Sequence, residues 1–193
     1  YRAKIEHVPG VSAVCIWQWY GGAYKDARDQ RNFFARLAVD PQTIFQVHPD
    51  FIISPEAQAA FQKERTACIA DAALAKRLGW KVGDVIPLTG DIFPGDIQLK
   101  LVGTYTSDDP QEALLMSWKY ISEGMPAGAQ GNIGSYLVLV DTPQQVSSVS
   151  RTIDAMFANS PAPTRSESEH DFAVSFLAFL GNLKVFLGAV AGA

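Results

Sequence analysis

The sequence predicts an α+β fold, on three observations. Short runs of β-branched and aromatic residues alternate with segments of helical period. Helix caps precede those segments at the correct offsets. A middle stretch, about 80–132, is rich in Gly and Pro and carries short strand patterns, so it reads as a smaller β-rich insert. The chain has 193 residues, enough for one ordinary domain or two small ones. Apolar residues make up 48% and charged residues 19%, which supports a packed core. Net charge is −4 and the 16 Lys and Arg are scattered, so no basic stripe exists for a nucleic-acid partner. The chain opens at Tyr1 with no signal-peptide pattern, which predicts an excised piece of a longer protein.

Each element has a local reason. "VPGVSAVCIWQWY" (8–20) leaves a Pro-Gly turn and is apolar on both alternating faces, as a covered central strand would be. "GGAYKDARDQRN" (21–32) is a polar loop, and "FFARLAV" (33–39) is the returning strand of a long-looped hairpin. Asp40-Pro41 starts a short helical turn, and Ser54-Pro55-Glu56 starts "EAQAAFQKER". "TACIA" (66–70) is a buried strand. Asp71 caps "AALAKRL", which Gly79 terminates. "VIPL" is a short strand whose Pro87 marks an edge. "IQLKLVGTY" (97–105) sets Ile97, Leu99, Leu101 and Gly103 on one face. Residues 107–126 contain a short helix with Leu114, Leu115, Trp118 and Ile121 on one side. "SYLVLV" (135–140) is a buried strand. Thr142-Pro143, with Gln145 completing a capping box, starts a helix burying Val146, Val149, Ile153 and Met156 or Phe157. "TRSESE" (164–169) is a polar edge strand, and a last helix starts near Asp171.

The chemistry is sparse. No G-x-x-x-x-G-K-[ST], G-x-G-x-x-G or G-x-S-x-G pattern occurs, so any ATP used must be hydrolysed by another chain. Cys15 and Cys68 are two buried thiols or one disulfide; sequence leaves both open. His7 is a surface residue, and His48 with Asp50 is a polar turn. Glu167, Glu169 and His170 lie close in sequence, but strand alternation sets His170 opposite the two acids, so a solvated face outweighs a metal site. No catalytic, cofactor or metal residue is assigned. Trp17, Trp19 and Tyr20 form an aromatic cluster at a strand end. Their area favours a core; the functional alternative is contact with a partner at the rim.

The chain closes on "FLAFLGNLKVFLGAVAGA" (176–193), apolar all round except for Asn182 and Lys184. Phe172 and Phe176 begin its stripe. Lys184 suits the water–lipid boundary, where a long basic side chain snorkels. The nine residues after it reach only about 13–14 Å, under half of a bilayer core. The tail therefore reads as a stalk and the first half of a membrane span, in which Gly188 and Gly192 would let another helix approach.

"VDPQTIF", "TACIADAALAKRLGWKVGDVIPL" and "LVGTY", in that order, resemble the extracytoplasmic domain of MacB/FtsX-type ABC transporter permeases. The stretch from "SYLVLVDTPQQ" to "NLKVFLGAV" is similar to the same family. The resemblance covers essentially the whole chain and is weakest at 106–132. It implies a porter-like α/β subdomain from 1–79 and 133–171, an inserted β-rich subdomain at 80–132, and a stalk leading into the second membrane helix at 172–193. It implies a domain on the periplasmic side of the bacterial inner membrane. Its partners would be a separate cytoplasmic ABC ATPase, a second permease subunit in a homodimer or heterodimer, the membrane through flanking helices, and a periplasmic adaptor or substrate. Such permeases transmit motion across the membrane in export or lipoprotein release, and the domain itself is not an enzyme and holds no cofactor. None of the Cys, His or aromatic positions matches a functional motif of the family.

Two other classes compete. A free-standing exported ligand-binding or adaptor domain would pack the tail on its own body, so removing 172–193 would unfold it. A metal-dependent hydrolase using Glu167, Glu169 and His170 would hold stoichiometric metal.

Overall fold

The computed structural model describes residues 1–90, 95–108 and 111–172. The stalk and span expected from Phe176, Asn182, Lys184, Gly188 and Gly192 lie outside the described residues. Among those described, no helix is long and apolar enough to cross a membrane.

The fold is mixed α and β, with eight described strands in one sheet. In chain order the elements are α1 (Arg2–Ile5), β1 (Val11–Trp19), β2 (Gly22–Ala23), β3 (Ala35–Val39), α2 (Ile44–Val47), α3 (Pro55–Lys63), β4 (Ala67–Asp71) and α4 (Ala72–Leu78). There follow β5 (Val85–Gly90), β6 (Asp96–Tyr105), β7 (Ala113–Ser117), α5 (Trp118–Glu123), β8 (Tyr136–Val140) and α6 (Val146–Phe157). The strand order is β2-β5-β6-β4-β7-β3-β1-β8. β4–β6 and β3–β7 are parallel; β5–β6, β4–β7 and β1–β3 are antiparallel.

The chain divides into two compact units. One is built from the described residues of Ala13–Leu139 together with Arg2, the other from Tyr1, Ala3–Ser12 and the described residues from Val140 to Phe172. In the larger unit the sheet is covered on both faces. Ile44 and Val47 of α2 and Phe61 of α3 join Leu37, Val39, Ile69, Tyr105 and Leu115. Leu74 and Ala75 of α4 and Ile121 of α5 join Ala38, Cys68, Ala70, Leu99, Leu101, Leu114 and Met116 on the other face.

The caps form as the sequence implies. Ser54 accepts a hydrogen bond from Ala57 N, and the Asp71 carboxylate accepts from Ala73 N and Leu74 N. Gly79 ends α4 at φ +70°, a conformation that costs glycine little. Asp40 accepts from Gln42 N in a turn, and α2 begins at Ile44 instead of at Pro41.

Several expectations change. Ala113–Ser117 is a strand, β7, and not part of the helix expected within 107–126. Leu114 and Leu115 therefore point to opposite faces, and the helix starts only at Trp118. A continuous apolar run has no period that distinguishes strand from helix. Within 80–132, β5, β6 and β7 bond into the sheet that also contains β3 and β4. The alternation of β6 is broken: β4 pairs Cys68 with Leu101 but Ile69 with Gly103, so Val102 is an extra residue. That bulge turns Leu99 and Leu101 to the α4 side and Tyr105 to the α3 side. β8 is an edge strand of intermediate exposure, not a buried one. Residues 164–168 form no strand, because their polar groups bond to a helix. Thr142 Oγ1 bonds the Gln145 side chain and does not cap the backbone; α6 buries Val149, Ile153 and Phe157, while Met156 is exposed.

The bulge lets α3 approach β6 closely. A Cβ built on Gly103 would lie 2.3 Å from the Ala57 Cβ. Gly103→Ala should therefore destabilise the fold by about 1–3 kcal/mol. Ala57→Gly in the same chain should recover part of that loss. Denaturant unfolding of the two single variants and the double variant checks this, and additive losses would contradict the contact.

Candidate functional site

Trp17 and Trp19 lie on one face of β1, and Tyr20 turns to the other. Tyr20 is 1% exposed, in the core beside Tyr24 and Phe34. The half-buried Trp17 and Trp19 pack against the α3-side core. The expected cluster of three thus separates, because successive strand residues face opposite ways.

Trp17 begins a file of rings. His48 lies 5.6 Å from it, stacks on Phe51 at 4.4 Å, and Phe51 stacks on Tyr105 at 4.5 Å. His48 Nδ1 is 3.6 Å from Asp50, and its Nε2 is buried with no hydrogen-bond partner among the described residues. Trp19 lies 6.4 Å from Phe33, which is 54% exposed, and the Arg36 guanidinium sits over both rings. The tilted rings are a packing arrangement with one exposed member.

The thiols are free and buried. Cys15 belongs to the core on one face of the sheet and Cys68 to the core on the other, so no disulfide can join them. Burial pushes both thiols above their ordinary value, most strongly Cys68. Both stay protonated and are poor nucleophiles. Burial likewise raises Tyr105, reinforced by Asp71 and Asp50. His7 is exposed, and so are Glu167, Glu169 and His170. Among the described residues no three His, Cys, Asp or Glu groups converge as metal ligands would.

The unit formed from the chain's ends has the more specific construction. Tyr1 stacks on Phe157 at 4.4 Å, donates from its hydroxyl to Ser160 at 2.9 Å, and accepts from Ala162 N at 3.2 Å. Asp154 of α6 accepts from Thr164 Oγ1, Ser166 N and Ser166 Oγ at 2.8–3.0 Å. Ser168 then caps a helical turn at 169–172, its hydroxyl accepting from Asp171 N and donating to the Asp171 carboxylate. Phe172, the first expected stalk residue, lies in that turn and is 47% exposed. The first residue and the last described turn therefore belong to one unit, held at Phe157 and Asp154. Sequence reasoning missed Asp154, since a single Asp on an amphipathic helix carries no local signal of distant partners.

No family model and no curated protein matches the sequence. Solved structures do match the fold. The extracellular domain of the noncanonic ABC-type transporter YknZ from Gram-positive bacteria aligns with a TM-score of 0.57 at 11% identity, over 86% of each chain. The periplasmic region of MacB from Actinobacillus actinomycetemcomitans gives 0.53 at 12%, over 81% of this chain and 72% of that one. A domain of a protein described as a permease, from Porphyromonas gingivalis, gives 0.51 at 16%, over 81% and 68%. This is the fold of permease extracytoplasmic domains. It is shared here with no sequence likeness strong enough to carry an activity.

Burial would raise the pKa of Asp154, but hydrogen bonds from Ser166 and Thr164, with help from Arg165, outweigh it and hold the carboxylate below its ordinary value of 3.8. A lowered folded-state pKa stabilises above the ordinary value, and that contribution is lost as pH falls through the folded one. The Ser166 amide resonance should therefore titrate with a midpoint below 3.8. Asp154→Asn should abolish that step and increase proteolysis at 160–168. An acid-independent Ser166 signal would contradict the tie.

Proposed function

We propose that this chain is the extracytoplasmic domain of a MacB-like ABC transporter permease. It relays ATP-driven conformational change across the membrane to a periplasmic substrate or partner, in export or lipoprotein release. The observation that carries this reading is the fold likeness to the YknZ and MacB domains over four fifths or more of the chain. The tie of Tyr1 to Phe157, Ser160 and Ala162 supports it, since a domain inserted between two membrane helices needs both ends in one unit. The apolar sequence of 176–193 supports a following span.

In this reading the domain catalyses nothing. A cytoplasmic ATPase hydrolyses ATP, and a second permease subunit completes the assembly in the bacterial inner membrane. Movement of the membrane helices reaches the domain through Tyr1 and the turn at 169–172. The Asp154 and Phe157 contacts pass it to α6. The porter-like and inserted subdomains, and the stalk with Lys184 at the lipid boundary, belong to the same proposal.

The test uses the intact parent protein in spheroplasts. Lys119 is exposed on α5, so Lys119→Cys should react with a membrane-impermeant maleimide from outside. A spin label there should change its spectrum when the partner ATPase is given ATP. Labelling only from the cytoplasmic side would overturn the reading, as would micromolar nucleotide binding by the isolated chain.

A further inference from the structure

β8 ends the sheet, and its outer edge is open among the described residues. Trp17 N donates to the Ser135 carbonyl at 3.1 Å, and Asp141 N donates to the Gly10 carbonyl at 2.9 Å. Ser135 and Asp141 thus turn their backbone groups toward β1, which runs antiparallel to β8. Strand alternation turns Leu137 and Leu139 the same way. The N–H and C=O groups of Tyr136, Val138 and Val140 point outward.

The other end of the sheet is protected. The two-residue β2 covers Thr89 and Gly90 of β5, and Pro87 removes an outward donor from the rest. β8 has no such protection: Tyr136–Val140 reads YLVLV, without charge, Pro or Gly. A strand of this composition pairs readily with another.

The geometry points to antiparallel pairing of β8 with β8 of a second copy of this chain, about a two-fold axis at Val138. The side chains in that register identify the occupant. Val138 meets Val138, Leu137 meets Leu139, Tyr136 meets Val140, and Asp141, the one charge at either end, meets Ser135. No like charges face each other and no charge faces an apolar residue. Moving the axis to Val140 would set Asp141 against Leu139. The register at Val138 forms about six backbone hydrogen bonds. It also consumes both edges, so assembly closes at a dimer. The inference rests on the strand edge alone and stands apart from the permease reading.

Opposed Val138 residues would lie about 5.5 Å apart at Cα, within disulfide reach. In the whole chain in mild detergent, Val138→Cys should cross-link to a dimer under mild oxidation at least tenfold faster than the exposed control Lys119→Cys. Val138→Pro removes one outward N–H and spares the β1 ladder, so it should weaken the dimer at least tenfold in sedimentation. Cross-linking of V138C no faster than the control would overturn the pairing. So would a V138P dimer as tight as the parent, which would assign association to the apolar tail or to another strand. If V138P does not fold, the V138C rate decides.

Discussion

The structure depends on one backbone constraint: β7 must bond to β4 on one side and β3 on the other. All five of its residues are buried, as are all five of β4. Buried peptide groups need partners, and in the middle of a sheet only neighbouring strands provide them. β7 satisfies this with a parallel ladder to β3 and an antiparallel one to β4. Without it the sheet would fall into β2-β5-β6-β4 and β3-β1-β8. It also makes the sheet two-faced, so helices must cover both sides. α2 and α3 cover one, and α4 and α5 cover the other.

That demand propagates outward. With both faces covered, β6 must supply apolar groups to two cores, and the bulge at Val102 provides the change of face. The bulge places Gly103 beneath Ala57, and only a residue without a Cβ leaves room for α3. A buried Asp cap at Asp71 starts α4 directly from the end of β4. Both thiols, Cys15 and Cys68, lie buried within these two cores.

The unit from the chain's ends is organised differently. It buries Ile5, Val8, Val149, Ile153 and Phe157, and polar ties at Tyr1 and Asp154 connect segments over a hundred residues apart in one case and about ten in the other.

The local features were readable from the residues alone. The caps at Ser54 and Asp71, the stop at Gly79, the antiparallel pairing of β1 with β3 and the amphipathic α6 were all legible, because each is set by residues within a few positions or by simple periodicity. Tertiary structure alone decided the rest. It made "ALLMS" a central strand, since a run apolar on every side has no period to declare its form. It separated Tyr20 from Trp17 and Trp19, and Cys15 from Cys68, by setting them on opposite faces of one sheet. It gave Asp154 its partners and left β8 at an open edge. Those outcomes depend on which strands become neighbours, and strand order is a property of the whole chain that no short stretch encodes.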